Sequence, residues 1–563
     1  MDDAVFVRRL KRVGDLPCDR QRVGEREGAA RNHGRQIHPL DEFHHQASAG
    51  EPHRTGGMSE VRVDSVRRQA RSIVNMAPIR PHVHFLSHPL IDQIVIEARD
   101  LLATVGLEIA HPEVIDLVLA AGGTCSPDGR VLMPGRLVDR ALASAPPSFR
   151  LHDREGHLRA DLGGSRVHFT PGSAAISILD PRTGAMRKPA TADFIRYARL
   201  VDQLEAIDYP STAFIPADVH ADISDSYRLY LSLCYCSGPV VTGAFTIAGF
   251  EVIRDLLLAV RGSPEALARA PLAILSCCPT APLRWSDVTS KNTVDCARAG
   301  IPVEFVSMPL TGFVSPGTLV GTLVQHTAET LSGVVISQLA GAGAPVLWGG
   351  SPAVFDYRYE TTPMGAIETQ MVDCACAEIG KHLGLPTQAY IGLSDAKRLD
   401  AQAGLETATG AVLAALAGIN SISGPGMLDF ESCHSLEKLV LDDEICASAK
   451  RMLRGIELRE GDFPARPHFE ELLRDGHLLI AEHTQRWFSE DVRLPDRVID
   501  RANRARHLEE GGQTLEQRAQ GRVRALLERP AKTVDADRRR TLDQVMLRAA
   551  RAAGMDELPG HDL

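Results

Sequence analysis

Residues 301–350 read IPVEFVSMPLTGFVSPGTLVGTLVQHTAETLSGVVISQLAGAGAPVLWGG, and they contain one complete unit of the architecture. A short apolar run rich in β-branched residues (301–309) is followed by a helical pattern (318–342) and by a second apolar run (344–350). A strand, a helix and a strand in succession predict parallel pairing. The helix carries the chain back along the sheet, so the second strand can run in the same direction as the first. The helix is apolar on most sides, so we expect it to be buried.

The same unit recurs along the chain from residue 165 onward. Its strand-like runs are RVHFTPGSA (166–174), AIDYPSTAF (206–214), GPVVTGAF (238–245), PLAILSCCP (271–279), IPVEFVSMP (301–309), APVLWGG (344–350), PTQAYIGLS (386–394) and GINSISGPGM (418–427). Eight such runs alternating with helices predict an α/β protein with a (β/α)8 TIM barrel, and a doubly wound open sheet is the alternative that the pattern leaves. In either fold the functional groups lie at the carboxyl ends of the strands, where Gly and other small residues predict an open mouth.

The segments around the predicted barrel (165–458) have different patterns. Residues 81–164 predict a helical cap, and residues 459–563 predict a charged helical extension at the C-terminus. Residues 1–80 are rich in charged residues and Gly and lack periodicity, so we expect a disordered segment or a mis-assigned start.

Two features of residues 1–80 bear on that expectation. Met58 is a position where a shorter chain could begin. His38, His44 and His45 suggest metal ligands, but a solvated tail is the simpler interpretation of histidines in a polar segment.

The composition excludes several classes of protein. The chain has 563 residues, of which 44% are hydrophobic, and its formal net charge is −10. That charge argues against nucleic acid or an anionic membrane as a partner, and no apolar run reaches the roughly 18 residues that a spanning helix needs. The eleven cysteines are an odd number, so they cannot all pair with one another in disulfides. The N-terminus also lacks the apolar core of a secretory signal. We therefore expect a cytoplasmic protein.

Aromatic residues are concentrated directly after the sixth strand. Only 5% of the chain is aromatic, yet four aromatic side chains fall within twelve residues and are interleaved with charged ones. The aromatic residues are Trp348, Phe355, Tyr357 and Tyr359, and the charged residues are Asp356, Arg358 and Glu360. Aromatic faces together with a carboxylate attract a quaternary ammonium ion. The alternative is a loop whose aromatic side chains only anchor it to the rim of the barrel.

Charged residues also follow the seventh and eighth strands. Lys397 could form a Schiff base if burial lowered its pKa, or it could be a surface lysine paired with an aspartate. Asp429, Glu431 and His434 could supply an acid/base pair or metal ligands. The two acids could instead favour the N-terminus of the next helix, with Ser432 or Ser435 as its cap. Cys374 and Cys376 point in different directions from a helix, so we expect buried thiols and predict no resident metal.

Several blocks together resemble the corrinoid-dependent trimethylamine and glycine betaine methyltransferase family. They are SPGTLVGTLVQHTAETLSGVV, GAPVLWGGSPAVFDYR, MGAIETQ, GLSDAKRLDAQAG and GINSISGPGMLDFESCHSLEKLVLDDEI, and the similarity covers residues 80–500. The resemblance implies a (β/α)8 barrel, a cytoplasmic location, and transfer of a methyl group to the cobalt of a separate corrinoid protein. The trimethylamine enzymes of the family carry pyrrolysine, whereas all residues here are standard. A quaternary or tertiary betaine-like amine is therefore the expected substrate.

The expected site residues follow from their positions in the pattern. We expect Trp348, Phe355, Tyr357 and Tyr359 to bind the cation, Glu360 or Asp429 to balance its charge with His434 nearby, and Arg358 or Lys397 to bind a substrate carboxylate. A base-off corrinoid motif of the form DxHxxG has one near match at residues 218–223, where Ile223 replaces the Gly. We therefore expect no cofactor on this chain and a corrinoid supplied by a partner.

Other hypotheses remain open at the level of sequence. One is a lyase or aldolase-like barrel that uses Lys397 as a Schiff base. Another is a non-catalytic protein that binds methylated amines. For the methyltransferase we expect a small methylated amine as substrate, a corrinoid protein as partner, and a homo-oligomer.

Overall fold

A computed structural model describes residues 79–560. The prediction for residues 1–80, including His38, His44, His45 and Met58, therefore falls almost entirely outside the described residues. The part that precedes the barrel consists of α1 (His88–Thr104), β1 (Glu108–Ile109), α2 (Pro112–Ala120), β2 (Thr124–Cys125), β3 (Val131–Leu132), α3 (Gly135–Ser144), β4 (Ser148–His152) and β5 (Leu158–Gly163).

Strands and helices then alternate up to residue 453. These elements are β6 (His168–Thr170), β7 (Ser177–Leu179), β8 (Met186–Arg187), α4 (Thr191–Val201), α5 (Ser224–Tyr235), β9 (Val240–Thr242), α6 (Ile247–Arg261), α7 (Pro264–Arg269), β10 (Ala273–Cys277), β11 (Arg284–Trp285), α8 (Asp287–Ala299), β12 (Val303–Phe305), β13 (Leu310–Thr311), α9 (Leu319–Ala340), β14 (Val346–Gly350), β15 (Ala353–Val354), α10 (Ile367–His382), β16 (Thr387–Tyr390), α11 (Ala401–Ala417), β17 (Ser421–Ser423), β18 (Met427–Leu428), β19 (Cys433–His434) and α12 (Leu436–Leu453). The remaining helices are α13 (Arg466–Asp475), α14 (Glu482–Asp491), α15 (Arg504–Glu509), α16 (Leu515–Leu527) and α17 (Ala536–Ala552).

The central sheet is a parallel barrel. Seven strands are hydrogen-bonded in the order β6-β17-β16-β14-β12-β10-β9. The gap between β9 and β6 is filled by the extended segment 206–214, in which Ser211 bridges Val241 and Phe214 bridges Ala175. The first and last strands also pair with each other, since Phe169 of β6 lies opposite Ile422 of β17. The predicted (β/α)8 barrel is confirmed, and the open doubly wound alternative is excluded.

The lower half of the barrel interior is apolar. Four inward-pointing side chains of the barrel form one cluster with four side chains of the β4–β5 hairpin: Tyr209, Val241, Ile274 and Leu347 with Phe149, Leu151, Ala160 and Leu162. The hairpin therefore closes the amino-terminal end of the barrel. The sequence pattern predicted only a helical cap over residues 81–164, because five-residue strands with partial alternation are hard to recognise between helices.

Polar side chains cap several of the helices that follow the barrel strands. Asp400 caps α11 by accepting hydrogen bonds from the amides of Gln402 and Ala403, and Ser435 caps α12 through the amide of Lys438. The long helix α9 begins after Thr318, whose side chain accepts from the amide of Gly321. None of the helices between residues 79 and 560 has the length and hydrophobicity of a membrane-spanning segment.

Candidate active site at the carboxyl end of the barrel

The upper half of the barrel interior is polar, and a buried glutamate lies within it. Glu304 of β12 accepts a hydrogen bond from Ser276 of β10 at 2.6 Å, and the Tyr390 hydroxyl of β16 lies 3.4 Å from the same oxygen. Glu304 is only 2% exposed, and burial raises its pKa to about 7. Desolvation disfavours the charged carboxylate, so this carboxyl is poised to change its charge near neutral pH.

A second carboxyl group reaches the same region from a strained turn. Asp429, Phe430 and Glu431 follow β18 with φ angles of 50°, 55° and 69°, which places three consecutive non-glycine residues in the left-handed region. This conformation costs about 1–2 kcal/mol per residue and persists where the surrounding structure enforces it, often at functional sites. We call residues 429–431 the left-handed turn.

The left-handed turn directs Glu431 into the barrel end. The backbone of Ser173 donates a hydrogen bond to its carboxyl group, while Oε1 is buried without a partner among the described residues. Burial is the main cause that raises the pKa of Glu431 to about 8, and the neighbouring Glu304 contributes to this shift. Two like-charged groups that share one desolvated space cannot both ionise easily.

A third carboxyl group is Asp373 of α10. Both of its oxygens are buried and have no hydrogen-bond partner in the described part of the chain. Burial raises its pKa well above the usual range, and Glu431 adds to the shift. No Lys, Arg or His of residues 79–560 forms an ion pair with Glu304, Glu431 or Asp373. Without a cation the three acids therefore favour their neutral, protonated forms, and a cation placed beside them would stabilise the ionised carboxylates.

An unpaired guanidinium belongs to the same end of the barrel. Arg228 of α5 is 1% exposed, and its Nη1 donates to the carbonyl of Thr212 at 3.0 Å. Its carbon Cζ lies 4.6 Å from the ring centroid of Phe245, which directly follows β9. Burial lowers the pKa of Arg228 to about 10, so the side chain remains charged at neutral pH.

Trp348 does not line this end of the barrel, in contrast to the expectation from the sequence. Its ring is fully buried between β14 and α10, where Nε1 donates to the carbonyl of Cys376 at 2.9 Å. Side chains alternate across a strand, so Leu347 and Gly349 face the barrel interior while Trp348 faces the helices. Its position is that of a core residue.

The other aromatic residues of the window form a projecting rim. Phe355 stacks on Phe313 with ring centroids 4.7 Å apart, and Tyr357 meets Phe355 edge-on at 5.3 Å. Tyr357 and Tyr359 are 68% and 73% exposed, so their faces are available to an incoming molecule. We call Phe313, Phe355, Tyr357 and Tyr359 the aromatic rim.

The charged residues of the window are also at the surface. Arg358 pairs with Asp356 at 2.6 Å and lies over the Tyr359 ring at 5.5 Å. Glu360 is exposed and has a φ of 55°. Neither Arg358 nor Glu360 belongs to the buried group formed by Glu304, Glu431 and Tyr390.

Lys397 and Asp429 lie together and support the left-handed turn. The ammonium of Lys397 is 3.8 Å from the Phe430 ring centroid and 3.5 Å from the Asp429 carboxylate. Its side chain is 55% exposed. A Schiff-base lysine needs a desolvated amine, so this position supports the surface ion pair that was the other interpretation.

His434 lies in the core. It is fully buried against Tyr197 and Phe214, with ring centroids 5.2 and 5.5 Å away, and burial lowers its pKa to about 3. Neither ring nitrogen has a partner in the described part of the chain. The predicted acid/base constellation of Asp429 and His434 is therefore not assembled, although Glu431 between them does enter the site.

The small residues at the strand ends make close internal contacts. A Cβ atom at Gly172 would collide with Met427, one at Gly349 with Gln388, and one at Gly426 with His434. These glycines let neighbouring chain segments approach each other. They do not by themselves produce the open mouth that was expected from them.

Comparison with known proteins identifies the family to which the chain belongs. The family model for trimethylamine methyltransferase (MTTB) matches residues 50–554. The chain belongs to the trimethylamine methyltransferase family. The resemblance inferred from the sequence blocks is thereby confirmed.

Individual members and a solved structure show the range of the similarity. Trimethylamine methyltransferase MttB of Desulfitobacterium hafniense (strain DSM 10664 / DCB-2) is 30% identical over 430 residues, which cover 76% of this chain and 86% of the relative. The glycine betaine methyltransferase of Desulfitobacterium hafniense (strain Y51) is 26% identical over 413 residues, covering 73% and 86%. The crystal structure of the Methanosarcina barkeri monomethylamine methyltransferase (MtmB) has a TM-score of 0.44 and 11% identity, over 87% of this chain and 92% of that one.

In this member of the trimethylamine methyltransferase family, the described residues contain no group of three or more His, Cys, Asp or Glu side chains arranged to hold a metal ion. Asp218 and His220 of the near match to DxHxxG have structural contacts. Asp218 accepts hydrogen bonds from Thr191, and His220 accepts from the amide of Asp222 at 3.3 Å. The ten cysteines between residues 79 and 560 are free thiols, including the buried Cys374 and Cys376 that the helical spacing predicted.

The sequence contained usable signals for the residues that were missed. Glu304 is the one acid in the apolar run IPVEFVSMP, and Arg228 is the one cation in SDSYRLYLSLCYC. A charged residue inside an otherwise buried element is costly unless it has a function or a partner. Tyr390 gave no comparable signal, because aromatic residues are common in strands.

Proposed function

We propose that this chain transfers a methyl group from a betaine-like methylated amine to the Co(I) corrinoid of a separate protein. Its membership in the trimethylamine methyltransferase family supports the reaction class. The observation that carries the proposal is the group of buried acids, Glu304, Glu431 and Asp373, which meet no cation within residues 79–560. A substrate with a permanent positive charge supplies that cation.

Binding of the cation changes the charge of the site. A quaternary ammonium placed beside Glu304 and Glu431 favours their ionised forms, so binding releases protons. The Tyr390 ring lies next to Glu304 and offers an aromatic face or edge to the N-methyl groups. In solution, water solvates the cation. In the protein, fixed acids and an aromatic ring take the place of that water.

The chemical step requires no general base at nitrogen. A quaternary nitrogen has neither a lone pair nor a proton, so a strong nucleophile must attack a methyl carbon directly. The carbon–nitrogen bond breaks with its electron pair remaining on nitrogen, which yields a neutral tertiary amine. The carbon–cobalt bond forms with the electron pair of Co(I), which becomes methyl-Co(III). The chain contributes orientation of the methyl group and exclusion of water.

The aromatic rim is the proposed meeting point with molecules that enter the site. Phe355, Tyr357 and Tyr359 lie on the loop after β15, which follows β14 at the end of the barrel where Glu304 and Glu431 are found. Exposed aromatic residues are enriched in protein interfaces and also attract cations. We propose that this rim contacts the corrinoid protein or the approaching amine.

Cofactor use and location also belong to the proposal. Ile223 in place of the motif's Gly supports a corrinoid held by a partner and not by this chain. Free, mostly buried thiols are consistent with a reducing cytoplasm. Exposed apolar residues on α13, such as Phe469 and Leu473, support contacts with further copies of the chain, in line with a homo-oligomer.

A panel of methylated amines tests the proposal. Each amine is mixed with the purified chain and free cob(I)alamin as a methyl acceptor, and the conversion of the Co(I) absorption band to that of methyl-Co(III) is followed. We expect conversion with at least one quaternary amine, and loss of conversion when Glu304 and Glu431 are both replaced by Gln. Tight amine binding without conversion, with either cob(I)alamin or a corrinoid protein, would favour the non-catalytic binding protein.

A further inference from the structure

The guanidinium of Arg228 is a buried positive charge without an ion-pair partner. Its exposure is 1%, and no carboxylate of residues 79–560 pairs with it. Asp225, the acid that acts on it electrostatically, accepts hydrogen bonds from the amides of Ser226 and Phe245. A buried charge that lacks a partner is strongly disfavoured, so a site that retains one implies an anion from outside the chain.

The hydrogen-bonding edge of Arg228 is free on one side. Nη1 is occupied by the carbonyl of Thr212, whereas Nε is buried without a partner among the described residues. Phe245 covers the flat face of the guanidinium at 4.6 Å. Stacking on the face leaves the in-plane N–H groups available, and the Nε and Nη2 pair matches the two oxygens of a carboxylate.

Arg228 and the buried acids share one end of the barrel. Tyr390 lies near Arg228 and Glu431, and its hydroxyl is 3.4 Å from Glu304. The Thr212 carbonyl that holds Arg228 lies at the carboxyl end of the segment 206–214. A ligand between these groups would meet a guanidinium on one side and, on the other, acids that ionise when a cation binds, and this pattern is complementary to a zwitterion.

We propose that Arg228 binds the carboxylate of the substrate and thereby selects methylated amines that carry a carboxylate, such as N-methylated amino acids, over simple methylamines. This inference rests on the proposed function. It assigns the carboxylate to Arg228, in place of Arg358 or Lys397. Both of those cations are more than half exposed and already face an aspartate.

Binding of two matched probes tests the assignment. Glycine betaine carries a quaternary ammonium and a carboxylate, whereas tetramethylammonium carries only the cation. Calorimetric titration of both probes into the wild-type chain and into Arg228→Met gives four dissociation constants. We expect the substitution to weaken glycine betaine binding about 30-fold or more and to change tetramethylammonium binding by less than threefold.

The thermal stability of the ligand-free Arg228→Met variant distinguishes a binding role of Arg228 from a structural one. Removal of an unpaired buried charge should leave the thermal midpoint of the ligand-free chain unchanged or higher. A structural role of Arg228 in holding Thr212 predicts a lower midpoint and an equal loss of both probes, and that result would overturn the proposal. Arg228→Lys keeps the charge but not the bidentate edge, so we expect at least a tenfold loss for glycine betaine alone. Arg254→Met, on the outer helix α6, is the control and should bind both probes as the wild type does.

Turnover distinguishes failure of the inference from failure of the proposed function. If tetramethylammonium methylates cob(I)alamin as efficiently as glycine betaine in the wild type, the reaction stands and the role of Arg228 is refuted. If no methylated amine converts the Co(I) band, the proposed function itself fails. Arg228 would in that case still be supported as a carboxylate site by a selective binding loss in Arg228→Met.

Discussion

Glu304→Gln should make the stability of the protein less sensitive to pH. Glu304 is fully buried, and burial raises its pKa from 4.5 to about 7. The folded state therefore binds this proton more tightly than the unfolded state does. Below pH 4.5 the carboxyl is protonated in both states and has no effect on stability. As the pH rises from 4.5 to 7, the unfolded chain ionises first, so the wild type loses stability over this range.

The size of the effect follows from the same shift. A shift from 4.5 to about 7 at 1.36 kcal/mol per pH unit corresponds to about 3 kcal/mol at pH 8 and above. Gln remains neutral at every pH and keeps an oxygen that can accept from Ser276. The free energy of unfolding of Glu304→Gln, relative to the wild type, should thus increase by about 3 kcal/mol between pH 4.5 and pH 8.

Urea unfolding followed by tryptophan fluorescence, at half-unit steps from pH 4.5 to pH 9, measures this difference. Other acids, such as Glu431, titrate in both proteins, so the difference between the two curves isolates Glu304 and its coupling to them. Glu360→Gln changes an exposed acid and should follow the wild-type curve. Parallel curves for the wild type and Glu304→Gln would refute the description of Glu304 as a neutral buried acid.

Four further outcomes are expected. Trp348→Ala should lower the free energy of unfolding by about 3–5 kcal/mol, measured by urea unfolding, because it leaves a cavity beside α10; a change below 1 kcal/mol would contradict its core position. Borohydride should trap no carbonyl compound on Lys397, and a trapped adduct seen by mass spectrometry would restore the lyase hypothesis. Tyr357→Ala should weaken quaternary amine binding by about 1 kcal/mol if the aromatic rim contacts the cation, and unchanged affinity in calorimetry would remove it from the site. Glycine betaine affinity should rise between pH 5 and pH 7 in the wild type and much less in Glu304→Gln, because the cation favours the ionised carboxylate; identical profiles would argue against contact with Glu304.

The sequence was sufficient for the barrel because each strand and helix unit carries its own local signal. The run 301–309, the apolar helix after it and the run 344–350 are readable without knowledge of the rest of the chain. The hairpin formed by β4 and β5 was missed because its role, closing the barrel end, depends on contacts with strands that are distant in sequence. The family could be recognised from the sequence because several of its characteristic sequence blocks occur in a fixed order.

The site was harder to predict because it depends on which face of an element each residue occupies. Trp348 and Leu347 are adjacent in sequence, yet only Leu347 faces the barrel interior. The left-handed turn brings Glu431 inward while His434, three residues later, enters the core. Glu304 and Tyr390 become neighbours only when β12 and β16 take their places in the barrel. Arg228 comes from a helix, whereas the candidates chosen from the sequence all lie at or after the carboxyl ends of strands.

Transfer of a labelled methyl group tests the central claim most directly. Glycine betaine with carbon-13 in its N-methyl groups is incubated with the chain and cob(I)alamin in a single turnover, and the corrinoid is then isolated and examined by NMR. The proposed function predicts one labelled methyl carbon bound to cobalt for each corrinoid methylated, together with an equal amount of dimethylglycine. Label that remains entirely on the betaine, while the acceptor stays as Co(I), would contradict it.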